Sequence, residues 1–214
     1  MIVSDELKAR IDGDASGGKR APGRPRGFRV DTALDAAVQL FSERGFHATS
    51  IADLSERLGL TIGSIYKAWG DKKGLFLAAL DRYVGGHEQV IEERIANLPD
   101  GRAKLRDVLL CYAEWSHSEQ GLRGCMMVGA AVEFATFDAA VANRVAVALA
   151  DRERRLVELV GEARADGSAP ARLESAVTAR LLLCVVQGMR VIGKTGRTRA
   201  EMAAVVADAM RLLD

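Results

Sequence analysis

From Asp31 almost to Leu213 the apolar residues of this chain return every three or four positions, and that period admits one kind of fold. Leu34, Ala37, Val38 and Phe41 predict a helix over about Asp31 to Arg44, stopped by Gly45. Ile51, Leu54 and Leu58 predict a second, with Ser50 and Asp53 spaced as a capping box. Ile62, Ile65, Tyr66 and Trp69 predict a third. Longer patterns follow over about 71 to 97, 102 to 118, 125 onward, 139 to 165, 173 to 192 and 199 to 213. The apolar runs are rich in Ala and Leu, and turn signals are too far apart for hairpins. The expected class is all-α with about nine helices.

Composition narrows the function. Hydrophobic residues make up 49% and charged residues 28%, with a formal net charge of +1, so bulk charge points to neither nucleic acid nor membrane. The uninterrupted apolar run Leu181 to Met189 is half the length a membrane helix requires. The N-terminus lacks the apolar stretch of a secretory signal, so a cytosolic protein is expected. Cys111, Cys125 and Cys184 are an odd number at wide spacing, which agrees with a reducing compartment. Between Gly18 and Val30 lie Lys19, Arg20, Arg24, Arg26 and Arg29 with no acid among them. This reads as a basic arm over residues 1–28, or as a disordered leader.

The stretch "LGLTIGSIYKAWGDK", Leu58 to Lys72, supplies the parts of a helix-turn-helix. Gly59 sits where the turn must bend, and Thr61 is placed to cap the next helix. With Ile62, Ile65, Tyr66 and Trp69 assigned to the core, the outward face is Thr61, Gly63, Ser64, Lys67 and Ala68, small enough to approach base edges. Lys72 falls in the first turn of the following helix, where a cation is disfavoured and a phosphate would offset the cost. Tyr66 stands at the edge of the core face, within reach of a backbone phosphate.

Residues 31 to 80 resemble the DNA-binding domain of the TetR family of bacterial transcriptional regulators. The likeness rests on Phe41, Gly45 and Phe46; Ser50; Ile51 to Leu60; Gly63, Ser64, Ile65 and Tyr66; and Lys72. Trp69 stands where the family usually has Phe. Ala68 replaces a common phosphate-binding His or Tyr, and Lys73 and Gly74 depart from the usual helix start. The resemblance implies a helix-turn-helix domain at 29–75 and a helical effector-binding and dimerisation domain at 76–214. It further implies a homodimer on a palindromic double-stranded operator, with repression relieved by an effector. The DNA contacts it implies are Ser50, Thr61, Gly63, Ser64, Tyr66, Lys67 and Lys72, and Arg24 and Arg26 of the arm are expected in the neighbouring minor groove, as basic arms can be.

The dimer is expected through helices at about 173–192 and 199–213. Apolar stripes there, Leu181 to Met189 and Met202 to Leu213, serve a dimer seam or an ordinary core. Trp115, Met126, Met127, Glu133, Phe134 and Phe137 suit an effector with an apolar body and a polar handle, or a packed core. Cys125, after Arg123 and Gly124 near a helix start, is either a thiol sensor or inert. The rival function is a small thiol enzyme with Cys125 as nucleophile and His117 as base, which leaves residues 50 to 72 unexplained. Cys111, Glu114, His117 and Cys125 lack the spacing of a zinc site, and no metal or other cofactor is expected.

Overall fold

A computed structural model of the chain describes residues 26–134 and 138–214. The described residues hold α-helices and short 3-10 turns and no strand. The chain divides into two compact units at Gly86/His87, a point inside a continuous helix.

The first unit contains α1 (Arg26–Arg44), α2 (Ile51–Leu58), α3 (Ile62–Trp69) and the start of α4 (Lys72–Ile95). Helix α1 reaches back to Arg26, five residues before the expected start at Asp31, so Arg26 and Arg29 belong to a helix. No proline follows Pro25 in this stretch to remove a backbone donor, and Gly27 alone does not break the helix. Lys19, Arg20 and Arg24 lie outside the described residues. The core of this unit is Leu34, Ala37, Phe41, Leu54, Ile65, Leu75, Phe76 and Leu80, all buried. Phe41, Phe46 and Phe76 meet in a cluster, with Phe41 and Phe76 edge to face at 4.9 Å. Arg82 closes α4 onto α1 by a bidentate pair with Asp35 at 2.9 and 3.1 Å.

The second unit continues with α5 (Gly101–Glu114), α6 (Ser118–Arg123), α7 (Met126–Phe134), α8 (Ala139–Ala165), α9 (Ser175–Ile192) and α10 (Arg199–Ala209). The short α6 is the one helix the periodicity did not signal, since six residues hold less than two turns. Side chains cap these helices: Asp100 on α5, Asp138 on α8, and Thr198 with Glu201 as a capping box on α10. Gly101 is required at the head of α5, because a Cβ there would stand 2.2 Å from the Ala163 nitrogen of α8. Leu105, Leu109, Leu159, Ala163, Leu182, Val186, Met202 and Leu213 fill the common core.

Two expectations change here. By length and composition α9, with the turn after it, is apolar enough to cross a membrane, which its uninterrupted run did not indicate. In this bundle one face of α9 packs inward through Leu182, Val186 and Met189. The two apolar stripes are therefore mostly core: Met202, Val206, Ala209, Met210 and Leu213 of the second are buried as well. Leu181 and Cys184 of the first stripe stay exposed, in a row with Val177, Gly188 and Val191 at steps of three and four along α9.

Candidate nucleic-acid interface and effector cavity

The helix-turn-helix is built from local polar bonds. The Ser50 hydroxyl accepts from the Asp53 nitrogen at 3.1 Å, and the Asp53 carboxylate accepts from the Ser50 nitrogen at 2.8 Å. The Ser50 hydroxyl donating to the Asp53 carboxylate at 2.5 Å, then the Ser50 nitrogen and Arg44 at 3.2 Å, hold that carboxyl below the usual carboxylate range. Gly59 ends α2 in the left-handed region at φ 63°, which a Cβ would strain. Leu60 donates its nitrogen to the Ser55 carbonyl at 3.2 Å, and the Ser55 hydroxyl donates to the Leu60 carbonyl at 2.6 Å. Ser55 thus braces the turn at both ends, a role the sequence reading missed.

Thr61 caps α3. Its hydroxyl accepts from the Ser64 nitrogen at 3.1 Å and lies 2.9 Å from the Ser64 hydroxyl. Ile65, Ala68 and Trp69 face the core at 0, 2 and 9% exposure, whereas Ile62 and Tyr66 are 40 and 46% exposed. This corrects the expected face. Ala68 turns inward, where its small side chain fits a close approach, and Ile62 and Tyr66 turn outward beside Gly63 and Lys67. The outward surface is Thr61, Ile62, Gly63, Tyr66 and Lys67, with no acidic side chain anywhere on α3.

Lys72 also departs from expectation. Its ammonium donates to the carbonyls of Phe46 at 3.0 Å and Thr49 at 2.9 Å and lies 4.0 Å from the centre of the Phe46 ring. The cation at the start of α4 thus has partners inside the protein and needs no phosphate to explain it. Asp71 caps that helix by accepting from the Gly74 nitrogen at 2.7 Å. Gly74 is required there, since a Cβ would stand 1.9 Å from the Trp69 carbonyl oxygen.

In the second unit the residues named for an effector are mostly core. Met126, Met127 and Phe134 are 1, 1 and 3% exposed, and Phe137 lies outside the described residues. Trp115 is half-buried between His87, with ring centres at 4.1 Å, and Tyr112, at 5.2 Å. Glu133 and Cys125 are also half-buried. The buried Arg190 of α9 donates to the carbonyls of Trp115 and, at 3.0 Å, of Gly124, tying down the segment that leads to Cys125. Burial pushes the Cys111 thiol up to about 11, which leaves it protonated at neutral pH. His117 pairs its Nδ1 with the Ser118 hydroxyl at 2.8 Å. Among the described residues no three His, Cys, Asp or Glu are grouped to hold a metal.

A cavity of about 300 Å³ opens elsewhere, walled by Glu88, Ile91 and Glu92 of α4, Val108 and Tyr112 of α5, Asp151, Arg152, Arg154, Arg155, Leu156 and Leu159 of α8, and Val186 of α9. None of the described residues named for the effector lines it. Tyr112 is 3% exposed and its hydroxyl has no hydrogen-bond partner among the described residues, an omission that costs about 1–3 kcal/mol in a folded protein.

Comparison with known proteins agrees with this architecture. Residues 33–79 match the family described as bacterial regulatory proteins, tetR family, and residues 101–209 match the tetracyclin repressor-like C-terminal domain. The chain belongs to the TetR family. It is, accordingly, a DNA-binding transcriptional regulator with an N-terminal helix-turn-helix. It is 29% identical to the HTH-type transcriptional repressor ComR of Escherichia coli (strain K12), over 91% of this chain and 93% of ComR. It is 37% identical to the repressor BdcR of the same strain across 110 residues, covering 51% of this chain and 55% of BdcR. Among solved structures, a cysteine mutant of the TetR-family regulator CifR, complexed with 26-bp double-strand operator DNA, superposes with TM-score 0.78. That protein is 31% identical, with 88% of this chain and 98% of the other covered. In TetR-family terms α2 and α3 form the helix-turn-helix, and Ser55, Thr61 and Lys72 are the residues that fix its internal geometry here.

Proposed function

We propose that this regulator is a repressor that binds a palindromic operator as a homodimer and leaves it when its second unit takes up an effector. The observation that carries the reading is the α3 surface of Thr61, Ile62, Gly63, Tyr66 and Lys67, exposed, free of acid and small enough at Gly63 to approach base edges. Ser50, Ser64 and Tyr66 stand beside backbone phosphates, and Arg24 and Arg26 extend the contact toward the minor groove. Lys72 acts by fastening the turn rather than as a free clamp. The repressor names of ComR and BdcR and the operator complex of CifR support the direction of regulation. Acting on chromosomal DNA, the protein works in the bacterial cytosol. The exposed row from Val177 to Val191 on α9 is the dimer surface in this reading, with the helices at 173–192 and 199–213 forming the seam. An effector shifts the operator equilibrium by binding the released state more tightly.

A second trigger has its own observation. Cys125 is a half-buried thiol outside any disulfide at the start of α7, held by the segment that Arg190 ties down. A thiol-reactive effector is the alternative to a reversible one. The test is selection of genomic fragments bound by the purified protein at two salt concentrations, with and without alkylation. Recovery of one palindrome supports the reading, and no enrichment overturns it. Loss of the palindrome on alkylation, absent in Cys125→Ser, assigns the trigger to that thiol.

A further inference from the structure

The cavity between α4, α5, α8 and α9 has an uneven distribution of charge. Glu92 is closed by Arg155 through two bonds of 2.7 Å, and Asp151 by Arg154 at 2.6 Å. Arg152 belongs to neither pair, and no carboxylate of the described residues lies within 4.0 Å of it. Its guanidinium carbon lies instead 5.5 Å from the centre of the Tyr112 ring. Tyr112 contributes the buried hydroxyl that lacks a partner. Burial raises that phenol to about 12, so it stays a neutral donor at any ordinary pH. The remaining walls, Ile91, Val108, Leu156 and Leu159, are apolar. One carboxylate of the lining, Glu88, has no ion pair, and it is exposed and solvated.

An apolar chamber with one uncommitted guanidinium is complementary to a particular shape of molecule. We propose that this cavity binds a small amphiphilic monoanion, an apolar body ending in one carboxylate that Arg152 pairs with. At about 30 Å³ of liquid volume per atom-sized unit, the space holds roughly ten non-hydrogen atoms. The assignment rests on the effector reading above and names its ligand class. Neutral isosteres leave the guanidinium unpaired, and cations meet it as a like charge, so both are rejected.

The test is calorimetric titration of the full-length protein with octanoate and 3-phenylpropanoate, against octanamide and octylamine. The expected result is saturable binding of the carboxylates, at least tenfold weaker binding of the amide and none of the amine. Arg152→Gln should weaken octanoate tenfold or more, and Arg152→Lys should recover part of that loss. Glu88→Gln should tighten it, by removing the competing negative charge. Thermal unfolding without ligand identifies any variant that fails to fold. Equal affinity for octanoate and octanamide, preference for octylamine, or no binding of any carboxylate overturns the assignment. Release of the selected operator is measured separately. Octanoate that binds without releasing DNA leaves the cavity assignment standing and removes its role as effector site. Absence of binding removes the assignment and leaves the DNA-binding reading untouched.

Discussion

The Lys72 ammonium is bonded to the Phe46 carbonyl at 3.0 Å while resting 4.0 Å from the centre of the same residue's ring. A side chain at the head of α4 thereby fixes the turn between α1 and α2, 26 residues earlier in the chain. Lys72→Met keeps the aliphatic stem and removes both carbonyl bonds, so it should cost about 1–3 kcal/mol, seen as a lower urea midpoint at unchanged slope. Lys67 is exposed on α3, with no ion pair to another described side chain. Lys67→Ala should therefore leave stability unchanged and reduce the salt slope of operator binding by about one. A salt slope lowered by Lys72→Met and not by Lys67→Ala would reverse the two roles.

Glycines of α4 should respond to alanine in opposite directions. Gly74→Ala forces a Cβ to 1.9 Å from the Trp69 carbonyl oxygen, and should cost about 2–4 kcal/mol, because backbone must move. Gly86→Ala meets nothing within 4 Å and should stabilise the helix by about 0.5–1 kcal/mol. Thermal melts of the two variants give the comparison directly.

Acid should loosen the helix starts. Asp53, Asp166 and Glu201 each accept hydrogen bonds that hold their carboxyls below the ordinary range. A group with a depressed folded pKa stabilises above its unfolded pKa and loses that contribution as pH falls through the folded value. Stability should thus decline as pH drops below the ordinary carboxylate range, and Asp53→Asn should flatten the decline. Unfolding midpoints measured from pH 6 downward, at fixed salt, would display it; an identical decline in Asp53→Asn would remove Asp53 from the account.

Arg190 is 4% exposed and serves two carbonyls at the ends of the α6 segment. Arg190→Leu strands both, and should cost about 2–4 kcal/mol while raising hydrogen exchange at Trp115 to Cys125. Exchange confined to other segments would show that the latch lies elsewhere.

Much of this was legible because it is local. The Ser50–Asp53 capping box, the left-handed Gly59 and the period of α1 to α3 depend on neighbours within a few residues. The phase of α3 was not legible: two turns carry too few residues to fix which side is buried, and Ala68 reads as surface although its size is what lets it pack. The partners of Lys72 are backbone carbonyls, which no residue type announces. The cavity was hidden for another reason, since its walls come from four helices spread from Glu88 to Val186 in the sequence.

The outward turn of Ile62 bears on what a base pair can offer this protein. Its side chain carries no donor or acceptor, and the neighbouring hydroxyls of Thr61 and Ser64 are already bonded to one another. The Ile62 part of that surface is met by the 5-methyl group of thymine. Operators synthesised with uracil in place of single thymines would then lose affinity at the positions under Ile62, one methyl at a time, while every Watson–Crick pair stayed intact.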